Sequence, residues 1–161
     1  MIRGVHHVAI STPDLERFVD HYARWFGFER CAAGGWEAGN DRIDRMLGLE
    51  NSSAAYAMIR LGNLYIEAFQ FEAPRGERTE QRMCDLGFTH LCLYCDDVIA
   101  EYERLRALGM DFNCPPGGEA STRATYGRDC DGNVVELLQI VDPANGFAFE
   151  ALSRRGSGGR D

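Results

Sequence analysis

One stretch of this chain is written twice. GVHHVAISTPDLERFVDHYARWFGF, from Gly4, matches GFTHLCLYCDDVIAEYERLRALGM, from Gly87, at a constant offset of 83 residues that carries Gly4 to Gly87, His7 to His90 and Asp14 to Asp97. A duplication narrows the choice of architecture more than composition does, because each copy must adopt the same supersecondary unit. Both copies read as strand, turn, helix. In the first, Thr12 stands as the N-cap and Pro13 as the first helical residue. Leu15, Phe18, Val19, Tyr22 and Phe26 then recur at helical spacing, and Gly27 marks the end. In the second, Asp96 or Asp97 caps, Val98, Tyr102, Leu105 and Leu108 share one side, and Gly109 stops the helix.

A second pair of segments repeats as well. LGNLYIEAFQ ends at Gln70 and DGNVVELLQ at Gln139; each is a Gly-Asn turn followed by an alternating strand that carries one glutamate. The stretches FERCAA and SAAYAMIRL in the first copy, and DFNC and RATYGRD in the second, are β-prone. The chain therefore reads as an α+β fold, βαβββ written in tandem. The first module covers 1–71, a polar Pro- and Gly-containing linker 72–86, the second module 87–142 and a C-terminal extension 143–161. The end of that extension, SRRGSGGRD from Ser153, is too rich in glycine and charge to pack and reads as a disordered tail. Two segments fall outside the repeat. The insert GGWEAGNDRIDRMLGLE (34–50) reads as a loop and a short helix from Asn40 or Asp41, and Cys114-Pro115-Pro116-Gly117-Gly118 as a rigid turn followed by a flexible loop.

At 161 residues the chain is long enough for a real core, and its net charge of −8 argues against partners that present a phosphate field, nucleic acid and anionic membrane alike. No apolar run reaches membrane-span length, and no basic region precedes a long apolar stretch at the N-terminus, so the expected location is the cytoplasm. The six cysteines (Cys31, Cys84, Cys92, Cys95, Cys114 and Cys130) then read as mostly reduced, buried thiols. Cys92 and Cys95 form a C-x-x-C, but residues three apart on a strand point to opposite faces, which argues against a shared metal or disulfide.

Alternation along the strands decides which side chains share a face. Val5, His7 and Ala9 face one way, and His6, Val8 and Ile10 the other, which makes His6 a partly buried structural residue turned toward the helix. Tyr65, Glu67, Phe69 and Phe71 oppose Leu64, Ile66 and Ala68, and Val134, Glu136 and Leu138 oppose Val135 and Leu137. The aliphatic sides suit a covering helix, the His and Glu sides a cavity floor. A mid-strand glutamate is costly to bury unless it is paired, hydrogen-bonded or metal-bound. One such glutamate and one strand histidine in each module give a His/Glu/His/Glu set, the donor types of a divalent transition metal: Zn, Fe, Ni, Co or Mn.

On the stretches HHVAISTPDLERFVDHYARWFGFE, LGNLYIEAF, FTHLCLYCDDV and GRDCDGNVVELLQ, which span 4–140, the sequence resembles the vicinal oxygen chelate superfamily, which includes glyoxalase I, methylmalonyl-CoA epimerase, extradiol dioxygenases and bleomycin-resistance-type proteins. The resemblance implies paired βαβββ modules whose curved sheets enclose one divalent metal ion per site, with His7, Glu67, His90 and Glu136 as ligands. It implies a homodimer too, the ligands coming from one chain or shared between two. In the dioxygenases of this superfamily two His and one Glu leave three positions open; a fourth ligand at Glu67 leaves two, enough for a substrate that chelates through vicinal oxygens. This favours a lyase or isomerase, glyoxalase I-like or epimerase-like, that removes a proton beside a carbonyl while the metal stabilises the enediolate or enolate. Glu67 or Glu136 would serve as base by loosening from the metal, and Glu50 lies near where the epimerases carry a separate base. Tyr65, Phe69 and Tyr126 are candidates to line the substrate pocket, with Trp36 as an apolar wall and Arg42 or Arg45 meeting an anionic group. The competing readings are an Fe(II) extradiol-type dioxygenase and a binding protein that sequesters a small molecule such as an antibiotic without catalysis.

Overall fold

A computed structural model describes residues 2, 4–78, 80 and 82–151; the Ser153 tail lies outside them. The chain divides into two compact units, Met1–Thr79 and Glu80–Asp161. The first contains β1 (His7–Ser11), α1 (Leu15–Phe26), β2 (Glu29–Trp36), α2 (Asp41–Leu47), β3 (Ser53–Leu61) and β4 (Leu64–Ala73). The second contains β5 (Leu91–Tyr94), α3 (Val98–Ala107), β6 (Asp111–Phe112), β7 (Gly117–Glu119), β8 (Thr122–Arg128) and β9 (Val134–Ile140). Strand order is β1-β4-β3-β2 in one sheet and β5-β9-β8-β6 in the other, with β7 as a fifth strand of the second sheet paired to β8; each unit thus carries a βαβββ frame with its first and last strands parallel, to which the first unit adds α2 and the second β7. No helix among the described residues is long and apolar enough to cross a membrane.

In each unit the helix rests on one face of the sheet. Helix α1 buries Leu15, Phe18, Val19, Tyr22 and Trp25, and it packs on β3 and β4, where Ala57, Ile59, Ile66 and Ala68 are fully enclosed. Helix α3 buries Val98, Tyr102 and Leu105 against β8 and β9, and Val135 is likewise enclosed. Burial of this kind contributes roughly 1.5–3 kcal/mol per large apolar side chain.

One glutamine per unit joins strand to helix. Gln70 at β4 accepts from the Leu15 backbone N–H at 2.8 Å, and Gln139 at β9 accepts from that of Val98 at 3.5 Å while its amide donates to the Asp96 carbonyl. Each glutamine thus satisfies a helix N-terminal donor from outside the helix.

Several local expectations are corrected. The cap of α1 is Asp14, which accepts from Arg17 N–H at 3.0 Å; the Thr12 hydroxyl is engaged with the Asp14 backbone in a turn and leaves the cap to its neighbour. Leu108 caps the end of α3 and is exposed; the helix buries Val98, Tyr102 and Leu105. The loop after Cys114 is partly a strand: β7 pairs with β8, and Gly118, at φ +138°, lets the Thr122 carbonyl approach where a Cβ would stand. The segment 34–50 begins inside β2, which runs to Trp36. All six cysteines are free, but Cys31, Cys84, Cys92 and Cys114 are exposed rather than buried, lying on an edge strand, in the connecting segment, on an open sheet face and in a loop.

Candidate functional site

The sheet face opposite each helix carries the polar residues. In the first unit β1 and β4 run parallel with His7 beside Tyr65 and Ala9 beside Glu67, so His7, Tyr65 and Glu67 share a face. The His7 Nε2 lies 3.4 Å from Glu67 Oε2. In the second unit Cys92 lies beside Glu136, and His90, just before β5, places Nε2 3.1 Å from Glu136 Oε2. The side chains are partly shielded: 40% and 24% exposed for His7 and Glu67, 28% and 13% for His90 and Glu136. Among the described residues no three His, Cys, Asp or Glu side chains are placed to hold a metal ion together, so each unit presents a two-donor pair.

The pairs fit a divalent cation by distance and donor type. Two donors held about 2.1 Å from one ion and at right angles to each other stand about 3 Å apart. The observed separations of 3.4 and 3.1 Å lie close to that value. The other ring nitrogen is tethered in both units. His7 Nδ1 is 2.9 Å from His6 Nδ1, and His90 Nδ1 is 2.9 Å from Thr89 Oγ1. A partner on Nδ1 fixes the ring's orientation and tautomer, which is what a metal-binding histidine needs.

His6 therefore does not turn toward the helix. It is exposed, and its ring stacks on Tyr65 at 5.1 Å with an interplanar angle of 10°. The ladder begins at His7, so strand alternation does not bind the residue before it, and stacking decides its direction. Neither His6 nor Thr89 stood out in the sequence as a ring partner, although the offset of 83 places them at equivalent positions.

Aromatic and sulfur-bearing side chains surround the pairs. Glu67 faces Met58 across β3, and farther along the same face Phe69 meets Tyr56, Trp36 and Phe71 at 5.6 to 6.1 Å between ring centroids. The Arg60 guanidinium lies 5.6 Å from the Tyr65 ring centroid. Glu136 faces Tyr126 across β8, and the Tyr126 ring meets His90 edge-on at 5.4 Å. Burial, aided by the hydrogen bond to Glu136 and by its charge, pushes the Tyr126 phenol up to about 12. Desolvation, then the same carboxylate, pushes the Cys92 thiol up to about 12 as well. Both groups keep their protons through the neutral range and donate toward Glu136.

The insert is anchored by a polar chain. Trp36 Nε1 donates to Ser52 Oγ at 3.0 Å, and the Ser52 hydroxyl and backbone N–H both donate to Asp44 Oδ1 of α2. The Ser52 hydroxyl, ahead of its backbone N–H, holds the Asp44 carboxyl below its ordinary range against the opposing pull of desolvation. A group whose folded pKa is depressed stabilises the fold above its unfolded pKa and loses that contribution as pH falls through the folded value. The melting-temperature gap between the parent and Ser52→Ala is therefore expected to be widest near pH 6–7 and to narrow below about pH 4. A gap that stays constant from pH 7 to pH 3 would refute this role for Asp44.

Arg45 and Glu50 line an open surface groove beside α2 with Asp41, Asp44, Leu49 and Asn51. Arg42 is exposed on α2, its guanidinium 3.8 Å from Met46 Sδ. Among the described residues none of these three side chains hydrogen-bonds to the His–Glu pairs.

A family model described as Glyoxalase/Bleomycin resistance protein/Dioxygenase superfamily matches residues 4–137. A 2-epi-5-epi-valiolone epimerase from an Actinomyces species is 36% identical over 155 residues, covering 91% of this chain and 83% of that protein. Among solved structures, a glyoxalase family protein from Bacillus cereus superposes with a TM-score of 0.79 at 19% identity, over 88% of this chain and 97% of the other. The fosfomycin resistance protein FosX from Listeria monocytogenes, solved with Mn(II) and sulfate, superposes with a TM-score of 0.59 at 20% identity, over 86% and 93%. At these identities the two structures show a shared fold.

Proposed function

Because the chain belongs to the glyoxalase/bleomycin resistance protein/dioxygenase superfamily, we propose that it is a divalent-metal-dependent isomerase of epimerase type that removes a proton from the carbon beside a ketone carbonyl of a small molecule. The observation that carries this reading is the recurrence of one His–Glu pair, with its ring nitrogen tethered, at the repeat-equivalent place in each unit. His7, Glu67, His90 and Glu136 would hold the ion. When bound, a divalent cation supplies Lewis acidity that favours ionisation of a C–H beside a carbonyl.

The chain's own groups account for the rest. His6 and Thr89 orient the ligand rings through Nδ1. A carboxylate, Glu67 or Glu136, takes the proton as the C–H bond breaks and its electron pair moves onto the carbonyl oxygen; a solvent water delivers a proton to the opposite face as that pair returns to carbon, and the carboxylate releases its own proton to the solvent, which gives the epimer and balances the step. Tyr65, Phe69 and Trp36 offer flat apolar surface on the Glu67 face, against which a substrate ring or chain can be held out of water. No step is assigned to Glu50, Arg42 or Arg45. The Actinomyces relative supplies the epimerase class and the first substrate to try.

The test is to load metal-free protein with Mn(II), Ni(II) or Zn(II), incubate it with 2-epi-5-epi-valiolone in D2O, and follow deuterium uptake and epimer formation by NMR. Metal-dependent exchange that a chelator abolishes is the expected result. Oxygen consumption with catechols in place of exchange would move the Fe(II) dioxygenase reading to first place, and a protein that retains no metal would sink the catalytic one.

A further inference from the structure

Each unit closes the same end of its polar sheet face, and each does so with a segment outside the repeat. On β4 the residues that follow Glu67 on that face are Phe69 and Phe71; on β9 those that follow Glu136 are Leu138 and Ile140. In the first unit Trp36, from the insert, meets Phe71 edge-on at 5.8 Å between ring centroids, and Tyr56 pairs with Phe69 across β3. In the second unit the equivalent pair is Ala124 and Leu138, which supplies no ring. Ile140 is nevertheless buried.

The cover comes from residues 142–151. Tyr94 of β5 lies beside Leu138, on the same face as Cys92, and its hydroxyl donates to the Ile140 carbonyl at 3.4 Å. The Phe149 ring stacks on Tyr94 at 5.3 Å with an interplanar angle of 19°. Consecutive turns bring it there. The Asp142 carboxylate accepts from the Ala144 backbone N–H, the Asn145 side-chain oxygen from that of Phe147, and the Asn145 carbonyl from that of Ala148, each at 2.9 Å. Ala148 is buried, Phe149 is 38% exposed, and Phe147, on the same segment, turns to solvent at 84%. Tyr94 and Leu138 stand two residues beyond Cys92 and Glu136, which is about 7 Å along the strands.

From this placement we propose that Phe149, seated on Tyr94, is a specificity-determining residue: it walls the Ile140 end of the Glu136 face and sets how long a carbonyl compound that face accepts. The inference rests on the epimerase reading given above and narrows its substrate class to a ketone whose chain or ring ends within about 7 Å of the Glu136 carboxylate. A longer chain laid along β9 meets the Phe149 ring.

Proton exchange in D2O by the Mn(II)-loaded protein, compared for acetoin and its long-chain homologue 3-hydroxy-2-decanone, tests the proposal. The readout is the ratio of kcat/KM, long over short, from which a general loss of activity cancels. Phe149→Ala is expected to raise the ratio about tenfold or more and Phe149→Trp to lower it, because a pocket discriminates roughly 10–200-fold for each methylene it admits or refuses. Phe147→Ala, on the same segment but turned to solvent, should keep the parent's ratio. A second measurement needs no turnover. Fluorescence of added anilinonaphthalene sulfonate, which reports exposed apolar surface, should rise in Phe149→Ala with near-UV circular dichroism retained, as Leu138 and Ile140 are uncovered. A parent-like ratio in Phe149→Ala, or dye fluorescence no higher than in Phe147→Ala, would overturn the wall and leave the epimerase reading standing. A parent that exchanges neither ketone would overturn the substrate class, and failure on 2-epi-5-epi-valiolone as well would overturn the epimerase reading with it.

Discussion

On the proposed metal-dependent reading, replacing His90 with Ala should lower the affinity for a divalent metal at least about 100-fold. The Nε2 of His90 stands 3.1 Å from Glu136 Oε2, and its Nδ1 is held by Thr89 Oγ1 at 2.9 Å, so the ring is pre-set before any ion arrives. Altering an outer partner of a metal ligand typically costs 10–100-fold in affinity, and deleting the ligand itself costs more because no other side chain can supply the nitrogen. His90 is 28% exposed and precedes β5, so the fold should survive, with a stability change within about 1 kcal/mol. Metal content after dialysis and the thermal midpoint of the apo protein, read together, decide the matter. His6→Ala is the companion measurement: it removes a ring partner rather than a ligand, and its loss should stay within about tenfold. A His90→Ala protein that keeps stoichiometric metal would remove His90 from the site.

The largest expected effect on stability is that of Phe18→Ala. The ring is fully enclosed, stacks on Tyr22 at a centroid distance of 4.2 Å, and sits on the face of α1 that covers β3 and β4. Deleting it removes buried apolar surface and leaves a cavity that the neighbouring Ile59 and Ile66 strands can close only in part. The expected cost is about 3–5 kcal/mol. Urea unfolding should show it as a lower midpoint with little change in slope. A loss under about 1 kcal/mol would mean that α1 is not seated by this ring.

Much of this arrangement is legible in the sequence because a duplication and a two-residue period both leave marks there. The offset aligns His7 with His90, and alternation puts His7, Tyr65 and Glu67 on one side and Ile66 and Ala68 on the other, which is how the strands lie. The less legible features depend on neighbours that are distant in sequence. That Tyr126 and Cys92 flank Glu136 follows from which residues pair across β8, β9 and β5, and a strand's own pattern does not state its partner's register. His6 escaped because alternation ends where the ladder ends. Asp14 displaced Thr12 as cap because both residue types suit the place and the turn geometry chooses between them. The duplication itself held an unused hint: Ala9 aligns with Cys92, so the offset alone puts Cys92 on the histidine side of its strand.

Glu67 and Gln70 lie three apart on β4, as Glu136 and Gln139 do on β9. An odd interval sends the two side chains to opposite sides of the sheet, so one strand sets its glutamate beside the histidine on one surface and fastens the helix start on the other. An insertion or deletion of a single residue between them would make the interval even, putting both on the same surface, and either the helix would lose its fastening or the glutamate its histidine. Chemistry and scaffold are in this sense a single component, and the strand can change its composition far more freely than its count.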